Sequence, residues 1–168
     1  MKKVLLLLIA FISYYAYAPP LEAEYHKQRT EQTYRLDQFQ FLNTLDTLSF
    51  SPENLKKALL YLEVKQPAMV YCQAVLETGH FTSRIWKKYN NLFGMKVAKK
   101  RYCYAYGKIN KPGTAGYRHW SGSVKDMKSF QVYWEKKGWD LENDYNNFLT
   151  KLPYAMSKNY VKTLHLML

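Results

Sequence analysis

The sequence QAVLETGH at residues 73–80, followed by YNNLFGMK at residues 89–96, is the most informative part of this 168-residue chain. It places Glu77 at the end of an apolar helical run, just before a glycine suited to end the helix. After Glu77 no Asp or Glu occurs until Asp126, while residues 78–125 contain eleven Lys or Arg. An isolated acid at a helix C-terminus, in a long basic and aromatic stretch, is a candidate proton donor to a glycosidic bond.

Apolar residues at helical spacing predict a mainly α fold for most of the chain. Ser51 followed by Pro52 predicts a helix start, because Ser caps a helix and Pro suits its first position. Gln66 and Pro67 end that helix and start the next, an apolar helix expected from Ala68 to Glu77. Further helices are predicted around residues 36–45, 83–89, 123–134, 145–152 and 157–167. In the helix near residue 123, Asp126 is interpreted as the acid of a capping box.

Residues 90–122 have a different composition, dominated by Gly, Asn, Pro and Tyr. The alternation of Tyr102, Tyr104 and Tyr106 favours a small hairpin whose return strand is residues 116–120. The predicted fold class is therefore mainly α, with a small irregular or β lobe after the helix that carries Glu77.

The N-terminus has the pattern of a secretory signal peptide. A basic pair at residues 2–3 precedes an apolar run at residues 4–12, and an Ala-x-Ala cleavage site ends at Ala18. The apolar run is short for a membrane span. Pro19 follows the proposed cut and disfavours cleavage, so an uncleaved anchor is the alternative. Contact with a membrane is expected only in that case.

The chain is accordingly divided into a signal peptide at residues 1–18, a loose linker at 19–32 and the functional domain at 33–168. We expect an exported, monomeric protein of the periplasm, cell envelope or extracellular space. The net charge of +12 favours an anionic partner. Export makes nucleic acid a poor partner and a cell-wall polymer a good one. The alternative is that the basic stretch is merely a solvated face.

The sequence carries no signature of a metal or cofactor. The four His residues lack metal-ligand spacing, and there is no Gly-rich phosphate loop. Cys72 and Cys103 could pair in an oxidising compartment, or Cys72 could remain a buried thiol on its apolar helix. The sequence leaves both states open.

The pKa of Glu77 decides whether it can act as an acid. The negative end of a helix, and packing by Phe81 or Trp86, would raise this pKa. Nearby Lys or Arg would lower it, and the sequence does not settle which influence dominates.

Four short motifs resemble the endo-β-N-acetylglucosaminidase domain of glycoside hydrolase family 73. They are LETG at residues 76–79, NNLFG at 90–94, YRHW at 117–120 and SVKD at 123–126, in the order found in that family. The similarity covers roughly residues 50–168, and Tyr154 and Tyr160 resemble its last helices. The resemblance implies a lysozyme-like fold and cleavage of peptidoglycan glycan strands after N-acetylglucosamine, with Glu77 as general acid.

The same resemblance implies substrate-binding positions. Asn91 and Phe93 would lie in the loop that shapes the cleft, with Asn90 beside them, and Tyr154 would lie at the cleft wall. Tyr117 is assigned to the same group. The residues alone also allow simpler interpretations: the Asn pair could form a plain turn, and Phe93 and Tyr154 could pack in the core.

One departure from the family bears on mechanism. Many members carry a second carboxylate in the lobe, whereas residues 97–116 contain no Asp or Glu. A later acid could fold back, or the 2-acetamido group of the substrate could assist. The domain could also bind glycan without cutting it, or act as a muramidase or lytic transglycosylase on the same fold. The later acids are Glu135, Asp140, Glu142 and Asp144.

Overall fold

The computed structural model describes residues 21–110, 113–151 and 159–168. The chain divides into two compact units, Met1–Phe41 and Leu42–Leu168. The proposed signal peptide at residues 1–18 lies outside the described residues. No described helix has the length and apolar character needed to cross a membrane.

The first helix, α1, runs over Leu21–Thr44. Residues 21–32, expected to be a loose linker, are thus helical. Their polarity suggested a linker, but Leu, Glu, Ala, Lys, Gln and Arg are good helix formers, and this propensity decides the outcome. An ion pair of 2.7 Å between Arg35 and Glu31, one turn apart, adds to the helix.

The second unit confirms the expectation of a mainly helical, lysozyme-like domain. Local signals explain several helix starts: the Ser51 hydroxyl accepts a hydrogen bond from the Asn54 N–H at 3.0 Å, and Ser83 caps the fourth helix in the same way. The helices of this unit are α2 Pro52–Tyr61, α3 Pro67–Glu77, α4 Arg84–Tyr89, α5 Trp120–Glu135, α6 Tyr145–Lys151 and α7 Tyr160–His165.

The core of this unit forms around α3, which packs against α2 and α7. Apolar side chains on each of these helices are fully buried, among them Leu59 of α2, Val70 of α3 and Leu164 of α7. Cys72 and Cys103 are both free cysteines, the first of them buried. Glu77 therefore lies at the end of a helix that is packed in the core of this unit.

A two-stranded antiparallel hairpin forms the small lobe. Strand β1 is Gly107–Lys108 and strand β2 is Ala115–Gly116, with Gly107 opposite Gly116. The hairpin was expected, but its return strand is shorter and earlier than residues 116–120. Helix α5 begins at Trp120 with His119 as its N-cap, so residues 117–119 connect the strand to the helix.

The expected capping box at residues 123–126 is wrong. Helix α5 begins at Trp120, and the His119 side chain accepts a hydrogen bond from the Ser121 N–H at 3.3 Å. The Ser123 hydroxyl instead accepts from the Leu92 N–H at 3.1 Å, and Asp126 is fully buried within the helix. Both side chains thus tie α5 to the lobe.

Candidate active site

The end of α3 is fixed by a Schellman motif that begins at Val75. The His80 N–H donates to the Val75 carbonyl at 2.8 Å, and the Gly79 N–H donates to the Leu76 carbonyl at 3.1 Å. Gly79 has a φ of +56°, the left-handed conformation that this motif requires. Glu77 is the last helical residue, so its side chain leaves a rigid, well-buried helix.

A cleft of about 610 Å³ lies over this helix end. Glu77 lines it together with residues 93–101 and three aromatic side chains of α5, Phe130, Tyr133 and Trp134. This volume is within the usual range of small-ligand sites, roughly 300–1,000 Å³. The carboxyl group of Glu77 therefore lies in a cleft that is lined by aromatic and basic residues.

Glu77 combines access with partial desolvation. Glu77 is exposed to solvent in the open cleft, yet the protein atoms around its carboxyl group partly desolvate it, and this raises the pKa of Glu77. The Tyr160 hydroxyl donates a 3.1 Å hydrogen bond to Oε1, which stabilises the carboxylate and opposes the rise in pKa. Burial dominates, so the pKa lies above its ordinary value, as an acid catalyst requires.

A buried hydrogen-bond chain leads to this carboxyl group. The Tyr145 hydroxyl donates to Gln73 Oε1 at 2.8 Å, and Gln73 Nε2 donates to the Tyr160 hydroxyl at 3.4 Å. The Tyr160 hydrogen is therefore directed at Glu77 Oε1. These hydrogen bonds connect α6, α3 and α7. Because Oε1 of Glu77 accepts the last of them, Oε2 is the oxygen that can carry the acid proton.

Gly94 lies against that second oxygen. A Cβ added at position 94 would be 2.9 Å from Glu77 Oε2, closer than real Cβ atoms approach such a group. Gly94 also has a φ of +63°, which side chains other than glycine rarely adopt. The left-handed φ favours glycine here, and a side chain at position 94 would displace the Glu77 carboxyl group from its position.

The two asparagines brace this loop. Asn90 ends α4 in the left-handed conformation, and its Nδ2 donates to the carbonyls of Tyr117 and Arg118 at 3.1 and 3.3 Å. Asn91 is buried, and its Nδ2 donates to the carbonyls of Met95 and Ala115, both at 2.9 Å. Neither side chain lines the cleft, and a direct role in substrate binding stays a prediction.

The aromatic candidates have different positions. Phe93 is buried and also lines the cleft. Tyr117 is 1% exposed, and its hydroxyl donates to Asp126 Oδ2 at 2.8 Å, so it lies behind the cleft surface. Its assignment as a substrate-binding residue stays a prediction. Tyr154 lies outside the described residues.

The sequence places Tyr160 in the predicted last helix, but it does not identify Tyr160, Gln73 or Gly94 as residues of the site. Gln73 could have been identified from its spacing, because it lies four residues before Glu77 and residues four apart share a helix face. Nothing in the sequence brings Tyr160 to Glu77, since 83 residues separate them.

Glu77 is the one acid among the described residues that line the cleft. Asp140 accepts hydrogen bonds from the backbone N–H groups of Glu142 and Asn143, and Glu142 pairs with Lys65 at 3.0 Å. Glu135 and Asp144 do not line the cleft either. The described chain also contains no cluster of three or more His, Cys, Asp or Glu that could hold a metal ion.

Tyr160→Phe is expected to shift the pH profile of hydrolysis. Loss of the donor removes an interaction that favours the carboxylate, so the pKa of Glu77 rises further. Activity needs the protonated acid and falls as pH rises through this pKa, so the basic limb of the kcat profile should move to higher pH. Rates across pH 4–9 on a soluble glycan measure the shift. An unchanged limb with a lower rate would contradict this role for Tyr160.

A mainly helical domain that sets one carboxyl group of raised pKa in an aromatic cleft has the arrangement of a helical glycoside hydrolase. The chain belongs to the glucosaminidase family, described as mannosyl-glycoprotein endo-beta-N-acetylglucosaminidase, whose model matches residues 54–168. The resemblance inferred from the four motifs is thereby confirmed. Comparisons with curated proteins and with solved structures give no significant match.

Proposed function

We propose that this protein is an exported peptidoglycan hydrolase that cleaves the glycan strand on the reducing side of N-acetylglucosamine, with Glu77 as general acid. Family membership supports a glycosidase. The pattern of residues 2–18 supports export, and the basic charge supports an acidic wall polymer as substrate.

The observation that carries the proposal is the position of Glu77. Its carboxyl group ends a rigid helix, faces a solvent-accessible cleft and has a raised pKa. A raised pKa favours the protonated carboxyl group, which can transfer its proton to the glycosidic oxygen as the bond breaks.

The absence of a second acid from the described cleft lining favours assistance by the substrate. Glu77 gives its proton to the leaving oxygen, while the 2-acetamido carbonyl oxygen attacks the anomeric carbon from the opposite face. The C–O bond to the leaving sugar breaks, and a cyclic oxazolinium ion forms. Water then attacks the same carbon from the face that the leaving group vacated, and Glu77 takes the proton of that water. Two inversions leave the product with the β configuration.

Product analysis of digested cell walls tests this function. We expect new reducing ends that are N-acetylglucosamine, identified by mass spectrometry after reduction, and a β anomer in NMR spectra of fresh product. Anhydromuramic ends would instead indicate a lytic transglycosylase, and N-acetylmuramic reducing ends a muramidase. An α anomer would rule out acetamido assistance. No cleavage at all, with glycan binding retained, would indicate a binding domain.

A further inference from the structure

We propose that Lys96, Lys99 and Lys100 form a subsite for the carboxylate groups of peptide-bearing glycan. We refer to these three residues as the lysine subsite. The inference rests on the proposed function and deepens it, because it specifies which form of glycan the cleft prefers.

The lysine subsite lines the same cleft as Glu77 and lies in the loop that follows Gly94. All three side chains are exposed, and none forms an ion pair with another described residue. The next cation in the loop, Arg101, is different. It is 8% exposed and lies 2.6 Å from Asp126, so its charge is already neutralised. Among the described residues lining the cleft, the available positive charge therefore belongs to the lysine subsite.

An aromatic wall accompanies these lysines. Phe130, Tyr133 and Trp134 are spaced by three and four residues on α5, so they share one face of the helix and line the cleft together. Aromatic rings offer broad apolar faces that can pack against the apolar face of a sugar ring. The cleft thus offers stacking surfaces for a glycan together with separate cationic groups.

This combination distinguishes glycans by their charge. A strand built only of N-acetylglucosamine carries no charge, so three ammonium groups would add little to its binding. Peptide-bearing strands carry carboxylates on side chains that hang from alternate sugars. Among the described residues that line the cleft, these three unpaired lysines outnumber the one acid, Glu77, which favours the carboxylates over a neutral ligand.

Binding in a Glu77→Gln background tests the lysine subsite without turnover. Three soluble probes are compared: peptide-bearing glycan fragments, uncharged oligomers of N-acetylglucosamine, and poly(glycerol phosphate). Lys99→Gln together with Lys100→Gln should weaken binding of the peptide-bearing fragments by about fivefold or more, the order expected for losing exposed ionic contacts. Binding of the uncharged oligomers should not change.

The matched control is Lys87→Gln together with Lys88→Gln. This pair is also consecutive, exposed and within the acid-free stretch, but it does not line the cleft, so binding of every probe should be unchanged. An equal loss for both glycan forms, no loss for either, or a larger loss for the phosphate polymer would overturn the inference. If wild-type protein cuts no glycan yet shows the lysine-dependent preference, the proposed function fails and the subsite stands.

Discussion

Glu77→Gln is expected to abolish glycan hydrolysis while the domain keeps its fold. Gln has nearly the same shape and its amide oxygen can still accept the hydrogen bond from Tyr160. It has no acid proton to give to the leaving oxygen, so the rate should fall by about 10²–10⁴-fold or more. Release of reducing ends from purified cell walls measures the rate, and circular dichroism with thermal unfolding checks the fold.

Glu142→Gln is the matched control for this substitution. Glu142 is exposed, pairs with Lys65 at the surface and does not line the cleft, so its variant should retain wild-type activity. Wall hydrolysis by Glu77→Gln at the wild-type rate would refute the site assignment. A large loss in Glu142→Gln, with folding unchanged, would identify a second acid that reaches the substrate.

Local chemistry explains why the helices around Glu77 could be predicted from sequence. Ser51, Ser83 and Gly79 each act on their own neighbours within five residues, through a cap hydrogen bond or a left-handed turn. Pro67 similarly marks the first turn of α3. Such signals involve residues only a few positions apart, so a short stretch of sequence is enough to predict them.

The contacts that complete the candidate site depend on distant parts of the chain and could not be predicted in this way. Tyr160 reaches Glu77 only because α7 packs on α3. The need for glycine at position 94 is apparent only when the loop is seen against Oε2 of that carboxyl group. At Asp126 the local sequence pattern gave a wrong prediction. The pattern matched a capping box, but the side chain instead pairs with the distant Arg101.

Those partners form a buried cluster that joins the cleft loop to α5. Asp126 Oδ1 accepts hydrogen bonds from Arg101 Nη1 at 2.6 Å and from the Tyr104 N–H at 3.2 Å. Its Oδ2 accepts from Arg101 Nη2 at 3.2 Å and from the Tyr117 hydroxyl at 2.8 Å. One carboxylate thus binds four donors, and it holds the end of the segment that carries the lysine subsite.

Asp126→Asn is therefore expected to destabilise the domain strongly. The amide removes the negative charge and leaves the guanidinium of Arg101 buried without its counter-charge, a change that typically costs about 3–5 kcal/mol. Urea unfolding followed by tryptophan fluorescence measures the free energy of unfolding. In the same assay Glu142→Gln, which breaks an exposed pair, should lose no more than about 1 kcal/mol.

A double-mutant cycle with Arg101→Met separates charge pairing from packing. If the loss in Asp126→Asn comes from the uncompensated guanidinium, removing that group as well should recover part of the stability, so the double variant should lose less than the sum of the two single losses. Strict additivity would show that the ion pair is not the source of the effect. A loss in Asp126→Asn no larger than that in Glu142→Gln would contradict the assignment of Asp126 as the buried anchor of the cleft loop.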